Sequence, residues 1–137
     1  GQVRALNAAL ADGGLSADDI DYINAHGTAT AEGDPVEIAA LKLVFGERSA
    51  RLAVSATKSM HGHQLGGAGA IEAIVTVLAL REQAIPPTAH LQEIDAACVG
   101  VDHVTSGRRA QTVRAALSNS FAFGGSNAVL AFRAVAR

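Results

Sequence analysis

The chain has 137 residues, 49% hydrophobic and 18% charged, with a formal net charge of −2; that buries one core and is too little for two ordinary domains. Charge so nearly balanced gives no broad attraction for nucleic acid or an anionic membrane surface, and neither partner is expected. The single cysteine, Cys98, excludes an internal disulfide framework and, with the lone Met60, a thiolate metal site; a reducing cytoplasm suits it.

Val3, Leu6 and Leu10 recur at helical spacing, and Gly13-Gly14 follow where a helix end needs a residue tolerant of left-handed backbone. Gly1 to Leu6 lacks the pattern of a signal peptide and already reads as helix, which suggests a start inside a larger fold. Ile20 to Ala25 is short and β-rich and delivers the polar loop His26-Gly27-Thr28. The second helix is expected to open with Asp34 as N-cap, Pro35 at its first position and Glu37 closing a capping box, with Val36, Ala40, Leu43 and Val44 as its apolar stripe.

Leu52 to Ser55 reads as a short buried strand. Thr57 to Gly69, rich in Gly, His and Ser, then feeds a third helix with Ile71, Ile74, Val75 and Leu78 along its stripe. Glu72, Arg81 and Glu82 interrupt or bound that apolar run, so it is no transmembrane segment and the chain is expected to be soluble. Pro86-Pro87 stops the helix and starts an extended crossing segment. Val113 to Ser118 and Ala128 to Val135 read as strands of an antiparallel hairpin around the turn-prone Asn119 to Asn127.

The alternation describes an α/β unit with a mixed sheet and helices on at least one face. Three loops at strand ends carry unusual chemistry and are expected to converge: His26 to Gly33, Thr57 to Gly69, and Asn119 to Asn127. His61 and His63 could suggest a metal pair, but their spacing on a glycine loop has no third ligand nearby, and His61 reads as a surface residue. Gly66 to Gly69 lacks the spacing of a phosphate loop and reads as room for close helix packing.

The loops contain His26-Gly27-Thr28-Ala29-Thr30 with Gly33-Asp34, then Thr57-Lys58-Ser59-Met60-His61-Gly62-His63, then Asn119 to Asn127 with Phe121, Phe123 and Gly124-Gly125. In that order they resemble the β-ketoacyl-[acyl-carrier-protein] synthases, thiolase-fold condensing enzymes of fatty acid and polyketide synthesis. The likeness runs from about Leu6 to Phe132 and looks nearest to the elongating type. It implies that residues 1–137 form the C-terminal thiolase-like half, with a mixed, mainly parallel sheet, packed helices and a C-terminal antiparallel hairpin.

The resemblance implies an acyltransferase that joins malonyl-carrier protein to an enzyme-bound acyl thioester by decarboxylative Claisen condensation. His26 and His63 match the family's two active-site histidines, Lys58 its lysine, and Glu72, placed in the first turn of the third helix, the acidic partner of that lysine. Thr28 and Thr30 match the pair that binds the pantetheine arm, and spacing by two on an extended segment would put both on one face. Phe123 matches the gating phenylalanine, with Gly124-Gly125 giving the loop its bend. No cofactor is implied beyond the phosphopantetheine on which acyl-carrier protein bears the substrates.

The family's nucleophilic cysteine belongs to an N-terminal half, in an elbow of Thr-Ala-Cys-Ser type, and no such elbow is present in this sequence. Cys98, in Ala96-Ala97-Cys98-Val99, reads as a small buried hydrophobe. The chain alone is therefore expected to be inactive and to need that half, within a homo- or heterodimer that meets acyl-carrier protein. A non-catalytic subunit like the chain-length factor of heterodimeric ketosynthases is the alternative. Ala122, Ser126, Gly67 and Ala31-Glu32 depart from the family pattern; Ala122 matters most if an open gate needs positive φ there.

Overall fold

The computed structural model describes residues 1–135. The chain runs α1 (Gln2–Asp12), β1 (Tyr22–Asn24), α2 (Gly33–Phe45), β2 (Ala53–Ser55), α3 (Lys58–His61), α4 (Ala68–Glu82), β3 (Ala84–Ile85), β4 (Asp102–His103), β5 (Arg109–Ala110), β6 (Ala115–Phe121) and β7 (Asn127–Arg133). The main sheet has the order β4-β2-β1-β6-β7, and β3 pairs with β5 in a separate two-stranded sheet. β4, β2, β1 and β6 are parallel, and β7 returns antiparallel to β6. This is the expected mixed α/β architecture. Its hairpin is tighter than the sequence suggested, because β6 continues through Phe121.

Strand alternation sorts the side chains onto two faces. Ile23, Val54 and Leu117 join Leu6, Leu10, Ile38, Leu41 and Phe45 in one core, beneath α1 and α2. Tyr22, Ala53 and Ala116 join Ala79, Leu80, Ile85 and Val104 in a second, beneath α4. Each large aliphatic side chain buried there contributes about 1.5–3 kcal/mol. Gly14 takes the left-handed backbone (φ +57°) that closes α1.

The buried faces of both long helices follow the expected stripes only in part: in α2 Ala40 is buried and Val44 packs against the core as expected. In α2 the inward residues are Glu37, Ile38, Ala40, Leu41 and Phe45, whereas Val36 and Leu43 point to solvent. The helix begins at Gly33, and Asp34 is no N-cap; the Thr30 hydroxyl accepts from the Gly33 amide at 3.1 Å instead. In α4 the polar Glu72 and Thr76 face the sheet, and Ile74, Val77 and Leu78 are exposed. α4 starts at Ala68, which puts Glu72 in its second turn. Apolar residues lie on both sides of each helix, so periodicity alone could not choose the buried face. Among the described residues no helix is long and apolar enough to cross a membrane.

Candidate active site

Adjacent parallel strands bring the three loops together. Asn24 pairs in register with Ser55 on β2 and Ser118 on β6, and the segments carrying His26, Lys58 and Phe123 leave the carboxyl ends of β1, β2 and β6. Asn24 Nδ2 donates to Thr57 Oγ1 and to the Glu72 carbonyl, each at 3.3 Å, and so ties β1 to α3 and α4. All three residues are buried, where an unpaired polar group would cost about 1–3 kcal/mol.

Lys58 stands at the centre. Its ammonium has three donors and meets three acceptors: Glu72 Oε1 in a buried ion pair, the His26 carbonyl oxygen at 2.7 Å, and His26 Nδ1 at 3.4 Å. Burial, reinforced by the charges of Lys58 and His63, lowers the His26 imidazole to about 4. The ring is therefore neutral near pH 7. With Nδ1 facing the Lys58 donor, the hydrogen-bond network assigns its proton to Nε2. His63 reaches the same tautomer by another route, since its Nδ1 accepts from the Leu65 amide at 3.1 Å. The two rings lie 5.6 Å apart, nearly perpendicular, and Phe121 packs 6.2 Å from His26. The arrangement offers an Nε2–H donor on each imidazole beside the Lys58 ammonium.

Thr28 and Thr30 do bring their hydroxyls together, 3.3 Å apart, but the intervening Ala29 has φ +57°, so a tight bend rather than an extended segment pairs them. Both lie on the wall of a cleft of about 550 Å³ that also contacts Lys58, His63, Asp34 and Cys98. His26 and Phe123 lie outside the walls of that cleft, and the Phe123 ring is fully exposed. Positive φ falls on Gly124 and Gly125, whereas Ala122 is extended (φ −134°), so alanine carries no strain in this loop conformation.

Cys98 is buried at the cleft floor, and burial together with Asp34, Asp95 and Glu37 raises its thiol pKa, the reverse of an activated nucleophile. His61 is not simply a surface residue: half-buried, its two ring nitrogens reach Thr57 Oγ1 and the Gly62 carbonyl. Among the described residues no group of three or more His, Cys, Asp or Glu side chains is placed to hold a metal ion.

Sequence reasoning assigned Glu37 to a capping box; the structure turns it inward. Its carboxylate is 3% exposed and accepts from the His26 amide at 2.9 Å, the Gly27 amide at 3.0 Å and Asn119 Nδ2 at 2.9 Å. Burial raises its pKa, and the three donors act against that rise. The available signal was its place beside Ile38 and one turn before Leu41, on the buried face of α2.

A mainly parallel sheet with helices and an antiparallel strand pair matches the fold of thiolase-like ketosynthases. Residues 1–92 match the family model for the β-ketoacyl synthase C-terminal domain, and the chain belongs to that family. It is 50% identical over 135 residues to nodulation protein E of Rhizobium sp. (strain N33), covering 98% of this chain and 33% of that protein. It is 49% identical over 133 residues to 3-oxoacyl-[acyl-carrier-protein] synthase 2 of Synechocystis sp., covering 97% and 32%. Its fold matches the AntDE:AntF complex, a type II PKS acyl-carrier protein with its ketosynthase bound to the hexaketide, with a TM-score of 0.93 and 34% identity over 98% of this chain and 33% of that one. The chain thus spans about a third of the length of the relatives it matches.

Proposed function

We propose that this chain is the C-terminal, decarboxylating part of a β-ketoacyl-[acyl-carrier-protein] synthase, an acyltransferase of fatty acid or polyketide synthesis. The observation that carries the reading is the pair of Nε2–H donors on His26 and His63, each fixed from its Nδ1 side, with Lys58 against His26. In the reaction, the bond between the malonyl α-carbon and its carboxylate breaks and carbon dioxide leaves. The electron pair passes into an enolate whose oxygen the two histidines stabilise. The enolate carbon attacks the acyl carbonyl, and the enzyme thiolate leaves.

Donors of this kind act because negative charge grows on the thioester oxygen in the transition state, and one such donor is worth ~3–4 kcal/mol of barrier. Lys58 holds His26 in the donating tautomer, and Glu72 keeps the buried ammonium paired. Thr28 and Thr30 hold the pantetheine arm on which acyl-carrier protein presents the substrate, and Phe123 gates the acyl side. The remaining part of the synthase, preceding residues 1–137, supplies the nucleophilic cysteine, and the whole works as a homo- or heterodimer in the cytoplasm. Retention of both histidines and Lys58 speaks against a non-catalytic chain-length subunit.

The test is made on the full-length protein. His26→Ala is expected to lower malonyl decarboxylation by roughly 10²- to 10³-fold while acyl transfer to the cysteine, followed by intact mass, continues. Decarboxylation unaffected by His26→Ala would exclude this role.

A further inference from the structure

We infer that His61 is a positioning residue whose protonation completes the buried hydrogen-bond chain behind Lys58 and His26; the inference rests on the ketosynthase reading above. His61 ends α3, and its half-buried ring is bonded at both nitrogens. The Gly62 carbonyl, 2.8 Å from Nδ1, can only accept, so Nδ1 carries a hydrogen. Nε2 meets the Thr57 hydroxyl at 3.2 Å. In the neutral ring Nε2 is a bare lone pair that takes the hydroxyl hydrogen, whereas in the imidazolium it donates to Thr57 Oγ1.

Thr57 has one hydroxyl hydrogen and two acceptors competing for it. Its Oγ1 lies 3.3 Å from both polar atoms of the Asn24 amide. Asn24 Nδ2 also donates to the Glu72 carbonyl, which fixes the orientation of the amide and leaves Oδ1 facing the hydroxyl as an acceptor. With His61 neutral, either Nε2 or Asn24 Oδ1 goes without a hydrogen. With His61 charged, Nε2–H fills Oγ1, the hydroxyl turns to Oδ1, and every one of these atoms is paired. Asn24 and Thr57 are fully buried, so bulk water does not replace the missing bond. Asn24 stands two residues before His26 and holds the main chain of Glu72, and Thr57 directly precedes Lys58, so this bond braces the frame on which all three are mounted. The surrounding titratable groups are Lys58 on α3, Glu72 on α4, His26 after β1, His63 in the next loop and His90 on the segment packed against Ser59. Among the described residues none of these side chains bonds to the Thr57 hydroxyl, which leaves His61 to change the count.

The experiment measures malonyl-thioester decarboxylation by the full-length synthase from about pH 5 to about pH 8, as wild type, His61→Leu, Thr57→Val and the double variant, with melting temperature beside it. Leucine offers Thr57 no polar atom at any pH, and valine keeps the shape of threonine without its hydroxyl. The kcat of the wild type relative to His61→Leu is expected to rise roughly 3- to 10-fold from the alkaline to the acid end, with KM little changed, because only the imidazolium completes the chain. Taking the ratio at each pH cancels the titration of the other histidines. In the Thr57→Val background the same ratio should be flat, since the hydroxyl that links His61 to Asn24 is gone. A ratio that does not change with pH, or one that changes equally in the Thr57→Val background, would overturn the inference. Should Thr57→Val not fold, His61→Gln decides: its NH₂ group donates at every pH, so its kcat relative to His61→Leu should be flat, and a slope like that of the wild type refutes the role of the proton. A wild type that decarboxylates no malonyl thioester would remove the ketosynthase reading and this inference with it, whereas a flat wild-type ratio removes the inference alone.

Discussion

Lys58 grips His26 at two points, the carbonyl oxygen at 2.7 Å and Nδ1 at 3.4 Å, so one ammonium sets both where the residue sits and which ring nitrogen carries the proton. The third hydrogen of that ammonium goes to Glu72, whose side chain is fully buried. Chemistry and stability therefore meet in one side chain, and substitution can separate them.

Lys58→Met leaves the Glu72 carboxylate buried without its partner, and breaking a buried pair in this way costs about 3–5 kcal/mol. Lys58→Met combined with Glu72→Leu removes both charges and should regain most of that stability, because an apolar replacement of a buried pair is often neutral or better. Decarboxylation should stay low in both variants of the full-length protein, as neither restores a donor to His26 Nδ1. Denaturant unfolding beside the activity assay checks this. A double variant as unstable as the single one would contradict it.

His26 gives a pH prediction with a definite sign. Its folded pKa, about 4, lies below the 6.5 of a free imidazole. Between those values the unfolded chain binds more protons, so the stability due to neutral His26 is complete above pH 6.5, declines as pH falls towards 4 and is flat below. The His26 ring proton resonances should titrate with a midpoint near 4, and a midpoint near 6.5 would show the ring to be solvated. Lys58→Met should raise the midpoint only in part, because burial is the larger cause.

The convergence of His26, Lys58 and Phe121 was legible in the sequence because each segment ends or follows a short β-rich run, and adjacent parallel strands place such segments side by side, whereas Phe123 stands exposed outside the cleft. The buried faces of α2 and α4 were not legible. Val36 and Leu43 compete with Ile38 and Leu41 for the inside of α2, and only the packed sheet decides between them. Glu37 was hidden for a related reason, as a Glu three residues after an Asp is also the signature of a capping box. Thr28 and Thr30 were rightly paired on a mistaken geometry, since sequence does not announce an alanine at φ +57°.

Gly27→Ala tests how tightly the His26 and Lys58 loops abut. The new Cβ would lie 2.4 Å from the Ala56 Cβ, on a backbone at φ +38° that side chains rarely adopt. Left-handed strain of about 1–2 kcal/mol and overpacking of about 1–3 kcal/mol should add. Adding Ala56→Gly relieves the contact but not the backbone, so the pair should recover only the overpacking share. Full recovery in thermal unfolding would mean that φ at this position relaxes freely.

The outer face of α4 is apolar and exposed. Glu72 and Thr76 are turned to the sheet, while Ile74 is 62% exposed and Val77 and Leu78 stand beside it in the open. A helix that is apolar on its outer side while its polar residues satisfy an inner network is built to be covered on both sides. Residues 1–137 alone should therefore self-associate, and Ile74→Lys with Leu78→Glu should yield a monomer by light scattering with unchanged circular dichroism. The same two substitutions in the full-length protein should lower its stability by about 3 kcal/mol or more, because charge is then forced into an apolar contact. A full-length protein indifferent to them would show that this face meets water, and the covering part would have to pack elsewhere.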